Sequence, residues 1–71
     1  MEDRLFNRVK ELRARKGLTQ QTLAQHAGVT RQTIAAIEKG DYLPSVLLAL
    51  KISDVFDLNL EDVFSIKKGW E

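Results

Sequence analysis

The tightest constraint on the fold is a twenty-residue stretch, Gln20 to Lys39, reading QQTLAQHAGVTRQTIAAIEK. Two short helical runs meet there across Gly28-Val29-Thr30. A tight corner between two helices needs a small residue where they touch, and Ala24 is in place. It needs a turn residue that tolerates left-handed φ, and Gly28 supplies it. It also needs an apolar plug, Val29, and β-branched wedges on the second helix, Ile34 and Ile37. Each requirement is common alone, but together they leave few alternatives to a helix-turn-helix corner.

The rest of the chain follows the same grammar. Leu5, Val9 and Leu12 share one face of a first helix, with Asn7 as its N-cap and Gly17 as its stop. The basic last turn, Arg13 to Lys16, suits the negative end of the helix dipole. Thr19 caps a second helix over 20–27, whose inner face is Leu23, Ala24 and Ala27. Thr30 caps a third, which ends at Gly40. Pro44-Ser45 opens a fourth helix with Val46, Ala49, Leu50, Ser53 and Phe56 inward, closed by Asp57. Asn59 caps a short fifth helix from Leu60 to about Phe64, with Glu61 and Asp62 in its first turn. Phe64-Ser65-Ile66-Lys67-Lys68 has the alternation of a strand. Either it pairs with Arg4-Leu5-Phe6 as a short antiparallel ribbon between the termini, or it frays.

Composition narrows the function. The chain has 71 residues, enough for one domain over 1–71, and it has no Cys and a single His. A disulfide framework and a thiolate metal site are excluded, and His26 alone builds no zinc site. No Gly-rich phosphate loop and no nucleophile beside a base are present, so an enzyme is not expected, nor are cofactors or a small-molecule effector. No apolar run is long enough for a membrane span, and Met1 to Arg4 do not open a secretory signal, so a cytoplasmic protein is expected. The net charge of +1 hides an asymmetry: residues 1–40 sum to +4 and residues 41–71 to −3. Such poles fit a polyanion on the first half, or simply solvated helix faces.

With those residues in view, the chain resembles the Cro/C1-type (XRE family) helix-turn-helix transcriptional regulators, small standalone type. The likeness runs over 9–63. It is carried by Val9-Lys10-Glu11-Leu12-Arg13, Lys16-Gly17-Leu18-Thr19-Gln20, Leu23-Ala24, Gly28-Val29-Thr30-Arg31-Gln32-Thr33-Ile34, Ile37-Glu38-Lys39-Gly40, Pro44-Ser45 and Leu60-Glu61-Asp62-Val63-Phe64. It implies an all-α, five-helix, lambda-repressor-like domain that binds double-stranded DNA in a sequence-specific way, usually as a homodimer on a palindromic operator. It also implies an ion pair between Arg13 and Glu38, tying the first helix to the third. The chain departs from the usual pattern at Asp57, where Gly is common, and at Leu43, where Asn often precedes the proline. It departs again at Leu47, usually polar, and at Gln21, commonly Glu.

The third helix buries Ile34 and Ile37, so its other face carries Arg31, Gln32, Ala35, Ala36 and Lys39. Arg31 can fork onto guanine O6 and N7, and Gln32 can pair with adenine N6 and N7. Ala36 permits close approach to a thymine methyl. Thr19, Gln20, Thr33, Lys39 and Tyr42 are the candidates for the DNA backbone, although Tyr42 equally suits packing over a helix end. For self-association the candidates are Leu47 and Leu48 on the fourth helix, with Ile66 and Trp70 in the tail. A repressor is expected, and an antitoxin-like protein-interaction module with secondary DNA binding is the alternative.

Overall fold

The computed structural model describes residues 3–67. It contains β1 (Arg4–Asn7), α1 (Val9–Lys16), α2 (Gln20–Ala27), α3 (Arg31–Lys39), α4 (Val46–Val55), α5 (Leu60–Val63) and β2 (Phe64–Lys67). Five helices surround one core, and the two strands pair antiparallel to close the chain ends. The helical face of the core is built from Val9, Leu12, Leu23, Ala24, Ile34, Ile37, Ile52, Phe56 and Val63, all buried. Leu18, Val29, Val55 and Leu60 pack against its edges.

The helix boundaries come from side-chain caps and left-handed stops. Thr19, Thr30 and Ser45 sit in extended backbone, and each side-chain oxygen accepts the N–H three residues on. This satisfies one of the donors that a helix N-terminus leaves without a partner. At α5 the Asp62 carboxylate reaches back to the Asn59 N–H at 3.2 Å. The C-termini share one device. Leu18, Val29, Asp41 and Leu58 each donate their N–H to the carbonyl five residues earlier. That 6→1 bond requires a left-handed residue just before it. Gly28 meets the need at φ 73°, and Asp57 does so at φ 56°. Asp57 is the one non-glycine residue at positive φ among the described residues, at a conformation Asp tolerates better than most.

Three expectations need correction. Leu5 is not on a helix face: it lies in β1, opposite Ile66 of β2, in the register Arg4 to Lys67 and Asn7 to Phe64. The i, i+4, i+7 spacing of Leu5, Val9 and Leu12 is a coincidence of a strand running into a helix. Asn7 stands one place ahead of the N-cap position, which is Arg8. Its Oδ1 still accepts the Val9 N–H at 3.1 Å, and its Nδ2 donates to the Ile37 carbonyl at 3.0 Å. Asn7 thus caps α1 and pins it to the end of α3.

The inward face of α4 is also turned. Leu48, Ala49, Ile52 and Ser53 are buried, with Phe56 just beyond, whereas Val46 and Leu50 point outward. The segment Val46 to Leu50 is apolar all round, so periodicity alone could not choose its buried stripe. Leu48 consequently belongs to the core at 7% exposure and cannot carry a contact between subunits. Ser53, the one buried polar residue among those described, satisfies its hydroxyl on the Ala49 carbonyl at 2.8 Å.

Candidate nucleic-acid interface

The corner between α2 and α3 holds the candidate site. Ala24 is fully buried where the helices meet, and Val29 packs against the core from the turn. Ile34 and Ile37 are spent inward, so α3 presents Arg31, Gln32 and Lys39 to solvent, with Ala35 and Ala36 half-buried beside them. Arg31 and Gln32 occupy the first turn of α3. A long cationic fork and an amide at the N-terminal turn of an exposed helix are the groups that reach base edges in a major groove.

The start of α2 lies alongside. A shallow cleft of about 540 Å³ opens there, lined by Thr19, Gln20 and Gln21 and flanked by Arg13 and Arg31. Helix N-terminal amides with the exposed Arg31 guanidinium at the rim favour a phosphate, while the Arg13 guanidinium is engaged by Glu38 and the Leu18 carbonyl. The Thr19 hydroxyl is the α2 cap, bonded to the Thr22 N–H at 3.0 Å and to the Thr22 hydroxyl at 2.9 Å. Thr33 repeats this pattern on α3, its hydroxyl 3.1 Å from that of the cap Thr30. Lys39 is exposed at the far end of α3, with its Nζ 3.8 Å from Asp41. Tyr42 is exposed in the loop that follows.

Beneath this surface, Glu38 holds three helices together. Arg13 Nε donates to Glu38 Oε2 at 2.7 Å, and a second guanidinium nitrogen reaches Oε1 at 3.4 Å. Gln20 Nε2 also donates to Oε1, at 3.0 Å, while Arg13 Nη1 caps the Leu18 carbonyl at 2.9 Å. The Arg13 and Glu38 side chains are 16% and 4% exposed. The charge of Glu38 is therefore met by donors from α1 and α2. Sequence reasoning did not find the bond from Gln20 to Glu38. No local pattern signals it, because it exists only once α2 and α3 cross.

A second Arg–Glu pair lies on the outside of α1. Arg8 and Arg15 each approach Glu11 at 3.0 Å, and both partners are exposed. The hydrogen bond from Arg8 holds the Glu11 carboxyl below the usual carboxylate range. Ile66 is exposed on the ribbon, Leu47 is exposed on α4, and Trp70 lies outside the described residues.

A corner of this geometry, with a polar reading face and a charged anchor beneath it, defines a DNA-binding regulator of the helix-turn-helix class. The helix-turn-helix family model matches residues 9–63, and the chain belongs to that family, in its Cro/C1-type branch. It is not an enzyme. It is 61% identical over 62 residues to the uncharacterized HTH-type transcriptional regulator YgzD of Bacillus subtilis, covering 87% of this chain and 94% of that protein. An uncharacterized HTH-type transcriptional regulator of Archaeoglobus fulgidus is 51% identical over 57 residues, covering 80% and 81%. Among solved structures, the restriction-modification controller protein C.AhdI from Aeromonas hydrophila superposes with a TM-score of 0.74 at 34% identity, covering 78% of this chain and 83% of that one. SinR, the master regulator for biofilm formation, solved in complex with DNA, gives a TM-score of 0.70 at 33% identity, covering 76% and 87%. No helix among the described residues is long and apolar enough to cross a membrane.

Proposed function

We propose that this regulator is a repressor that binds a palindromic DNA operator as a homodimer in the cytoplasm. The observation that carries the reading is the first turn of α3. Arg31 and Gln32 stand exposed there, while Glu38 fixes the same helix to α1 and α2 from below. Base readout needs reading side chains on a rigid element, and this helix is capped by Thr30 at its start and anchored through Glu38 and the Ile37 carbonyl near its end.

In this reading Arg31 takes guanine, Gln32 takes adenine, and Ala36 lets the groove wall come close. The α2 amides behind the Thr19 cap seat a phosphate beside Arg31. Gln20 contributes by holding that helix start on Glu38 through one N–H of its amide, leaving the second N–H to donate to a phosphate oxygen. Thr33, Lys39 and Tyr42 flank the groove and set register. Two copies related by a two-fold place their reading helices about 34 Å apart, one turn of duplex, which is why the operator is palindromic. Occupying such a site blocks access to it, which is how a bound regulator represses.

Selection of bound duplexes from a random DNA pool tests this directly. The expected product is an inverted repeat with half-site centres one helical turn apart. Enrichment of no sequence, or binding whose strength is insensitive to salt, overturns it, since phosphate contacts must release counterions.

A further inference from the structure

We propose that Asn7 is a positioning residue for DNA binding. Carried on the terminal ribbon, its side chain sets the far end of α3 and so the direction in which Lys39 leaves that helix. The proposal rests on the DNA-binding reading, in which Lys39 contacts the DNA backbone.

The amide of Asn7 is used at both of its polar atoms. Oδ1 accepts the Val9 N–H at 3.1 Å, and Nδ2 donates to the Ile37 carbonyl at 3.0 Å, thirty residues away in sequence. That carbonyl also accepts the Gly40 N–H at 3.0 Å, while the Asp41 N–H goes to the Ala36 carbonyl at 2.9 Å. A carbonyl oxygen has two lone pairs, and here both are engaged. Asn7 therefore completes the C-terminal stop of α3, the turn in which Lys39 lies.

The next residue along, Glu38, is the one that Arg13 grips at 2.7 Å. The α1 segment thus holds the end of α3 at two successive residues, one through its backbone and one through its side chain. A single link is a pivot about which a helix end can turn. Two links from separate points remove that freedom, as placing a contact residue requires. The second point is itself fixed. Asn7 is the last residue of β1 and pairs with Phe64 of β2, and the Arg8 N–H donates to the Val63 carbonyl at 2.9 Å. Val63 and Phe64 are both buried. The inner end of the ribbon therefore bears on the reading helix. Arg31 and Gln32, at the opposite end of α3, are set instead by the Thr30 cap and by the packing of α3 on α2. Losing the Asn7 donor should disturb Lys39 and spare base readout.

Two substitutions separate this link from the cap on α1. Asn7→Asp keeps an oxygen for the Val9 N–H and, ionised at neutral pH, has no donor for Ile37. Asn7→Ser keeps a shorter acceptor of the same kind and adds no charge. Circular dichroism melts set a temperature at which every variant is folded. Without DNA, amide hydrogen exchange at Gly40 and Asp41 should accelerate about 3- to 10-fold in both variants, the worth of one hydrogen bond. The Thr33 and Ile34 amides, in the first turn of α3, should exchange as in the wild type. On a selected duplex both variants should bind about 3- to 10-fold more weakly, by the same factor for every single-base change in the site. In a Lys39→Ala background that loss should vanish, which lowered stability alone would not produce. Exchange or affinity as in the wild type, a changed base preference, or an equal loss in the Lys39→Ala background overturns the proposal. Because exchange is read without DNA, accelerated exchange in a chain that selects no duplex counts against the DNA-binding reading and not against the link from Asn7 to α3.

Discussion

Helices α3 and α4 are nearly the same length, share the Ser/Thr cap at the start and the left-handed stop at the end, and pack into one core. They differ on their outer faces. That of α3 carries Arg31, Gln32 and Lys39; that of α4 carries Val46, Leu47 and Leu50. Both inner faces do the same work, burying β-branched and aliphatic side chains. The fold is set by what the two helices have in common, and the uses of the protein by what they do not. A polar face stays in water without cost. An apolar face left in water costs about 25 cal/mol per Å² until something covers it.

The largest way to break this comparison is to remove the anchor of α3. Glu38→Ala strands the buried Arg13 guanidinium and frees Gln20, at an expected cost of ~3–5 kcal/mol of stability. Glu61→Ala, an exposed acid in the first turn of α5, should cost no more than ~0.5 kcal/mol. Urea melts of the two variants measure the gap. Equal midpoints would show that Glu38 contributes nothing through burial.

Next in size is the polar face itself. Arg31→Ala should lose ~1–3 kcal/mol of discrimination at one base pair of the half-site and leave the other positions as they were. Lys39→Ala should weaken every sequence alike and lower the salt slope by about one. Competition binding against single-base variants of a selected operator reads both. A uniform loss for Arg31→Ala would move that residue to the DNA backbone.

The caps sharpen the contrast between the helices. Thr30→Ala and Ser45→Ala remove the same kind of bond, so each should cost ~1 kcal/mol of stability. Only Thr30 holds the turn that carries Arg31 and Gln32. Its loss should therefore also reduce operator affinity at temperatures where both variants are fully folded, whereas Ser45→Ala should bind DNA as the wild type does. Equal affinities would mean that DNA itself orders the first turn of α3.

The same contrast explains how much was legible in advance. Helix ends were readable because Thr19, Thr30, Ser45, Gly17, Gly28 and Gly40 act through their nearest neighbours in sequence. The corner was readable because four residue types must coincide there. The rotation of α4 was not, since an all-apolar segment offers two stripes of equal merit. The choice between them falls to the packing of α4 on α2 and α5, which no pattern within α4 encodes. Leu5 misled for the same reason, because its partner Ile66 is at the other end of the chain. On the candidate site, the exposed residues of α3 were visible from period alone. The bond between Gln20 and Glu38 was not, because it depends on a crossing that no single segment encodes.

The smallest effect comes from the second Arg–Glu pair and serves as the control for the first. Glu11 lies between Arg8 and Arg15 on the solvent side of α1, and both of its ion pairs are water-exposed. Its carboxyl is held below the usual carboxylate range, chiefly by the hydrogen bond from Arg8. A depressed folded-state value means that the pair stabilises above the unfolded carboxylate's pKa. That contribution disappears as pH falls through the lowered folded value. Glu11→Gln should therefore differ slightly from the wild type at neutral pH and low salt. The two should converge once pH drops below the carboxylate range, and converge again at neutral pH when salt screens the pair. Thermal melts at both pH values and two salt concentrations supply the comparison. If Glu11→Gln proved as costly as Glu38→Ala, burial would not be what separates the two pairs, and the anchoring of α3 would need another cause.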